Sequence, residues 1–450
     1  MKLKFNTNST KVNIFVILLF NIYLFGLVLG PGLVNIFFVA LLYIYIKNFR
    51  QNTFFLIDNF NIVIKLQSLF ILYLVLNSLF VGYEINLFYK SLFFFRFFLL
   101  AFVLSHFLDL KLKTLNYVFL SILIFSIFLG IDIIYQYLTG YDFFGYKPGI
   151  CQYPTGEQNF DPKNCERFSG FFGDEFIAGG FLSTYGIIAL YIFFAKFDNF
   201  KFKNYISIII FLLIISAILL SGERNAVLTI IMIFIINVLF NKKIQKLILT
   251  LSLSIIFVFS ILFLTVDNTK YRFFYWPINN LNETTGNIIK KVLNTSWGAH
   301  YIVAYDIFLD NKLFGSGFKS FRIECNKSKY DIEILNKKYK LNNKSNSCST
   351  HPHNFYLEIL SELGLVGFIL FFLIIYFLVF HQLIKHFKYI RNEGEIIVIL
   401  SIILAYIFPL RPTGSFSSSV YATNLWFFIG FYLYFIKNLN YKIKNQIIDT

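Results

Sequence analysis

Near residue 350 the chain reads HPHNFYLEILSELGLVG. His351 and His353 flank Pro352, Asn354 follows, and Glu358 and Glu362 stand four residues apart in the apolar run beyond. Pro352 suits a first helical turn. The positive end of a helix disfavours imidazolium, so a histidine there stays neutral and can accept a proton. Glu358 and Glu362 share one face of that helix, a face expected to line a wet cavity. Read as metal ligands, the two histidines lack a third partner. The plain alternative is a structural role.

Four further groups carry charge where lipid would reject it. In LLSGERNAVLT, Glu223 and Arg224 sit between two apolar runs with almost no loop. An arginine at a helix start, beside free backbone N–H groups, makes an anion site suited to phosphate; the alternative is snorkelling to headgroups. In YKSLFFFRFFLL, Arg96 lies roughly 13 Å into its span at 1.5 Å per residue, and Asp132 is offered as its partner. CERFSGFFGDEFIAGGFL brings Arg167, Asp174 and Glu175 to the mouth of another span. NTSWGAHYIVAYDIFLDNKLFGSGFKSFRIEC holds His300 in an amphipathic segment, then a Gly-Ser-Gly turn and Arg322. That segment reads as a helix lying on the outer membrane face, where a lone histidine is more often packed than catalytic.

The elements that must position these groups follow from composition. The 450 residues are 57% apolar and only 14% charged, against roughly 25% charged in soluble domains. Apolar runs near the ~20 residues a bilayer requires recur from end to end, and the ~10-residue alternation of a β-barrel is absent from the sequence. The fold class is therefore an all-α polytopic membrane protein. Twelve spans are expected, at about 12–30, 32–46, 62–81, 87–108, 117–138, 174–195, 204–221, 225–240, 244–266, 354–380, 395–409 and 420–436. The N-terminal run reads as a retained first helix, without a small-residue cleavage site. Residues 1–450 form one integral membrane domain, with a first outside loop at about 139–173 and a large one at about 267–353, between the ninth and tenth spans.

Charge fixes the orientation. With the N-terminus in the cytoplasm, every inside segment holds at least two basic residues, for example Lys47 with Arg50 and Lys242 with Lys243, while the short outside links hold only Arg224 and Arg411. The net charge of +16 is thus topology rather than a nucleic-acid footprint. Cys151 and Cys165 fall in the first outside loop, Cys325 and Cys348 in the second. Two per loop on the oxidising side suggests a disulfide within each, with other pairings and free thiols left open. The large loop is polar and lysine-rich, and neither loop reads as a domain that folds alone.

In their order along the chain, CERFSGFFGDE, SGERNA, NKLFGSGFKSFR and HPHNFYLEILSELGLVGFILFF resemble the O-antigen ligase and O-antigen polymerase superfamily. The resemblance covers roughly residues 165–410 well and the first five spans by topology only. It implies a metal-independent, inverting glycosyl transfer on the periplasmic face of a bacterial inner membrane, without a cofactor. The donor it implies is a glycan on undecaprenyl diphosphate; the acceptor is a sugar hydroxyl, on lipid A-core for a ligase or on another lipid-linked glycan for a polymerase. A chain-length regulator is an implied partner. Carried over by residue, His353 is the base and Arg224 the diphosphate ligand, with Arg167 and Arg322 as further phosphate or sugar contacts. Arg96, His300, His351, Asn354 and Glu358 complete the candidate site. Many members carry an arginine where this chain has TSWGAHY, so that task falls to His300, Arg322 or Arg272. The ligase reading is preferred to the polymerase. A lipid-linked sugar transporter would not require the histidine-bearing loop, and a metal-dependent polyprenyl-phosphate transferase would require acidic ligands that the short first outside link, GPG, has no room for.

Overall fold

The computed structural model describes residues 14–47, 60–80, 85–107, 112–150, 166–197, 201–242, 245–275, 277–278 and 287–448. Its helices are α1 (Ile14–Leu29), α2 (Pro31–Lys47), α3 (Phe60–Phe80), α4 (Ile85–Leu92), α5 (Phe95–Phe107), α6 (Leu112–Thr139), α7 (Ala178–Lys196, with a π-turn at Leu182–Gly186), α8 (Lys203–Leu220), α9 (Arg224–Phe240), α10 (Gln245–Thr265), α11 (Asp267–Lys270), α12 (Ile288–Leu293), α13 (Ser296–Asp310), α14 (Phe321–Glu324), α15 (Ile332–Tyr339), α16 (Phe355–Ile375), α17 (His381–Ile390), α18 (Gly394–Tyr406) and α19 (Tyr421–Ile448). The only strand pairing among the described residues is Gly149–Ile150 with Glu166–Arg167.

By length and apolarity six helical stretches can cross a bilayer: Asn61–Leu79, Leu87–Ser105, Thr114–Thr139, Ala178–Lys196, Lys203–Leu220 and Phe355–Ile390. A seventh is added if Leu251–Thr265 and Asp267–Tyr275, bent by 109°, form one span. Ile14–Leu29, Pro31–Ile44, Arg224–Phe240 and Gly394–Tyr406 are apolar but shorter. The protein is an all-α membrane protein. Among the described residues a helix overlaps each of the twelve expected positions, but length and composition carry six or seven of them across.

Two compact units divide the chain. The first gathers Met1–Thr53, Val103–Phe273 and Arg391–Ile402. Its long α6 packs against α1, α7 and α8. Polar side chains on the last turns of α6 anchor the loop beyond it. Asp132 accepts from Phe143 N (2.8 Å) and Phe171 N (2.7 Å), and Gln136 accepts from Gly170 N (3.0 Å). Asp132, offered above as a partner for Arg96, thus has its carboxylate engaged by two amides.

The second unit gathers Phe54–Phe102, Phe274–Ile390 and Ile403–Thr450. Its centre is aromatic: the Phe98 ring stands 4.8 Å from Trp426, and Phe94 and Phe371 lie 5.8 and 6.0 Å from Phe416. The lysine-rich segment, which sequence alone leaves without a core, builds one. Ile302, Val303 and Ile307 of α13 pack with Phe321, Tyr330 and Leu335. Asp306 binds Lys338 (2.6 Å) and Tyr339, and Asp310 binds Lys329 (2.6 Å) and Tyr330 (2.9 Å), ties that hold the segment together. The α13 helix is the spine of this core and also packs on α16. Cys325 and Cys348 form a disulfide across 23 residues, with Cα atoms 5.1 Å apart. Cys151 and Cys165 lie outside the described residues.

Candidate functional site

Two constellations of charge and imidazole emerge, one in each unit. In the first unit the α8–α9 link is only Ser221–Gly222–Glu223, and Gly222 takes φ +65°. Arg224 is the first residue of α9, as its sequence context suggests. Glu223 does not cap α9. Its carboxylate accepts from Gly179 N (2.8 Å) and Gly180 N (3.1 Å), the opening amides of α7, where a negative charge is favoured. Gly179 is needed for this approach, since a Cβ there would stand 2.4 Å from Ser221 Oγ.

Two more arginines close on the same turn. Arg272 donates from Nε to Gly222 O (2.9 Å) and is 8% exposed. A Cβ placed on Gly222 would meet Arg272 Cγ at 3.3 Å and Arg167 Cγ at 3.7 Å, so both stems lie against this glycine. Arg167 stacks its guanidinium 3.9 Å above the Phe176 ring, and its Nε is buried without a hydrogen-bond partner among the described residues. Burial lowers the Arg167 pKa, with the Glu223 charge opposing. Arg167, Arg224 and Arg272 all feel one another's charge. Three guanidinium groups thus lie close enough to act on one another, and Glu223 acts on Arg167 and Arg272. Such a cluster stores repulsion that a multivalent anion would relieve. Asp174 and Glu175 are exposed.

In the second unit His353 lies 4.3 Å from His351 and 5.5 Å from His300, ring centre to ring centre. His300 sits on the buried face of α13, and its Nδ1 is 3.1 Å from Ser347 O. A carbonyl only accepts, so Nδ1 carries the hydrogen and Nε2 the lone pair of the neutral ring. His351 pairs Nδ1 with the Thr350 hydroxyl (3.0 Å). His353 has no ring hydrogen bond among the described residues, which leaves its nitrogens available to a substrate. Burial pulls its pKa down to about 3, with His351 and His300 adding to the effect. Burial also takes His351 to about 4 and lowers His300. The neutrality expected from a helix end therefore comes chiefly from desolvation. Among the described residues no three of His, Cys, Asp and Glu converge to hold a metal ion.

The helix starts at Phe355, three residues beyond Pro352 and one beyond the expected span edge at 354. Asn354 is the N-cap of α16, accepting from Tyr356 N (3.0 Å) and Leu357 N (3.2 Å), and it donates to Pro409 O (2.8 Å). His353 precedes it in the left-handed region, φ +55°. A residue with a Cβ holds that conformation at a cost of about 1 kcal/mol, so something must impose it. Thr413 does so from both sides: its N–H donates to His353 O (2.8 Å) and its hydroxyl accepts from Phe355 N (2.9 Å).

The two glutamates act alike. Glu358, 2% exposed, accepts from Ser415 Oγ (2.5 Å) and Phe416 N (3.0 Å). Glu362, 1% exposed, accepts from Lys319 N (2.8 Å) and Phe321 N (3.3 Å). The face they share is filled by two loops rather than by water. At Gly364 the helix breaks (φ +64°), and NKLFGSG fits into the gap. Leu365 N donates to Lys312 O (2.9 Å), Val366 N to Leu313 O (3.1 Å), and Ser316 N to Ser361 O (2.9 Å). Backbone approaches backbone so closely that a Cβ on Gly315 would come 2.3 Å from the Glu362 carbonyl carbon.

Of the remaining candidates, Arg96 donates to Ser419 Oγ (3.2 Å) and lies over the Phe97 ring, and Arg322 is exposed on α14. Sequence reading passes over Lys319, Thr413 and Ser415. SGFKSF and RPTGSFSSS offered a signal in their glycine, proline and serine content, but nothing in either says which distant carboxylate it serves.

Three arginines, Arg272 buried and Arg167 and Arg224 half-buried, thus lie at one helix junction, and neutral histidines stand beside another. Residues 209–372 match the family model described as O-Antigen ligase, a stretch that includes Arg224, Arg272, His300, Arg322, His351 and His353. The match over that part of the chain supports the O-antigen ligase superfamily. No curated protein matches the chain.

Proposed function

We propose that the protein is an O-antigen ligase-type glycosyltransferase, moving a glycan from undecaprenyl diphosphate to a sugar hydroxyl of lipid A-core on the periplasmic face of a bacterial inner membrane. In this reading the chain crosses twelve times with both termini cytoplasmic. His353 takes the acceptor proton. The acceptor oxygen forms a bond to the anomeric carbon as the bond from that carbon to the diphosphate oxygen breaks, which inverts the centre without a metal. Arg224, Arg272 and Arg167 take up the charge that develops on the departing diphosphate.

The observation that carries this reading is the state of His353. Its ring is neutral, without a hydrogen-bond partner among the described residues, and its backbone is held by Thr413 in the left-handed region. Within a domain that matches O-Antigen ligase, a constrained and available base is the feature a hydroxyl acceptor needs. The test offers purified protein a lipid diphosphate-linked glycan with lipid A-core, or with a second lipid-linked glycan. One addition to lipid A-core supports the ligase; a ladder on the lipid carrier makes it a polymerase. Transfer to neither refutes both.

A further inference from the structure

We propose that Lys319 and Arg322 form an anion subsite beside the histidine cluster, one that takes a phosphate or carboxylate group carried by the glycan acceptor. This rests on the glycosyl-transfer reading and adds a requirement on the acceptor to it.

Lys319 lies in the left-handed region at φ +60°. Glycine would adopt that conformation without strain, and Gly315 and Gly317 nearby do adopt positive φ. A lysine there needs a reason. Its backbone is pinned by Glu362, through the 2.8 Å bond from Lys319 N. Its side chain is half-buried, with the ammonium 5.9 Å from the Phe318 ring. Among the described residues no carboxylate lies within ion-pair reach of that ammonium, whereas Lys327, Lys329 and Lys338 each have one. Glu362 and Glu358 do act on it at longer range, but their oxygens already accept two hydrogen bonds each. Burial brings Lys319 down to about 8, with Arg322 and Lys90 adding to the effect and the two glutamates opposing it. It remains mostly a cation at neutral pH, and one that gains by meeting an anion.

The subsite is fixed to the histidines at two points. Cys325, three residues beyond Arg322, is bonded to Cys348, three residues before His351. On the other side Glu358 and Glu362 lie one turn apart on α16, the helix that His353 and Asn354 lead into. The charge of Arg322 is felt by both Lys319 and His351. An anionic group held there would set an acceptor sugar at a defined distance from His353.

The test uses the full-length protein in detergent, with Lys319→Met and Lys319→Gly. Calorimetry compares glucose 6-phosphate and glucuronate with glucose. Wild type should bind the two anions and not glucose, and both variants should lose about tenfold or more in affinity, the scale of a charged hydrogen bond. Lys319→Gly should melt no lower than wild type, because it removes the strained Cβ. Anion affinity unchanged in the variants, absent from wild type, or matched by glucose overturns the subsite. Transfer kinetics then assign the anion: KM for an anionic acceptor should rise in Lys319→Met, and a rise in the donor KM instead overturns the assignment. If wild type transfers no glycan at all, the proposed reaction fails while calorimetry still decides the subsite.

Discussion

The low pKa of His353 makes a pH prediction that an ordinary histidine would not. With the usual value near 6.5, an imidazole base would be only about 3% deprotonated at pH 5, and turnover would fall roughly thirtyfold from its plateau. Burial and two neighbouring imidazoles hold His353 at about 3. At pH 5 it stays almost wholly neutral, so kcat/KM per folded molecule should be flat from pH 7 to 5. Stability moves the other way. Because the folded values of His353 and His351 lie below the unfolded one, the unfolded chain binds more protons between about pH 6.5 and the folded values near 3 and 4. The stability these neutral rings contribute is full above pH 6.5 and is lost as pH falls below it. The assay therefore measures initial transfer rates across pH 5–8 at saturating donor, with a melting curve at each pH to correct for folded protein. An acid limb centred near 6.5 after that correction would refute a desolvated base.

Other outcomes follow from the same geometry. Arg224→Lys keeps the charge but loses the planar fork, and should reduce transfer by about ten- to a hundredfold with little change in melting temperature; near-normal rates would mean the residue only meets headgroups. Gly364→Ala sets a Cβ 2.4 Å from Leu313 O at φ +64°, so it should abolish a stable fold, whereas a Cβ on Gly32 meets nothing within 4 Å and Gly32→Ala should be tolerated; thermal melts of the two compare them. Replacing Cys325 and Cys348 by serine releases a 23-residue closure and should cost about 3 kcal/mol of local stability, read as faster proteolysis of residues 296–350.

Helices were legible because 3.6-residue geometry and lipid leave a strong apolar signature. Arg224 at a helix start and His353 next to one were legible for the same reason: each sits at an apolar boundary. The roles of Glu358 and Glu362 were not. Their spacing places them on one face, but what covers that face comes from residues 316–321 and 413–416, and no local pattern reports such a pairing. The glycines of FGSG read as a turn and the glycine of ELGL as part of a helix. In the structure they are the two halves of one backbone-to-backbone contact at the break in the helix. Arg272 was named only as a substitute for an absent arginine, yet it lies against Gly222 on the turn that carries Arg224. The core of the lysine-rich segment was not legible, because ties such as Lys338 to Asp306 join residues far apart in the chain.

The most direct test of the account removes the imidazole while keeping the backbone it strains. Asparagine tolerates the left-handed region better than most residues, so His353→Asn should fold and bind donor as wild type does. Transfer to lipid A-core, measured on purified protein at equal folded concentration, should fall by roughly a hundredfold or more, the usual contribution of a general base. Normal turnover in a folded His353→Asn protein would contradict the central claim that this histidine takes the acceptor proton.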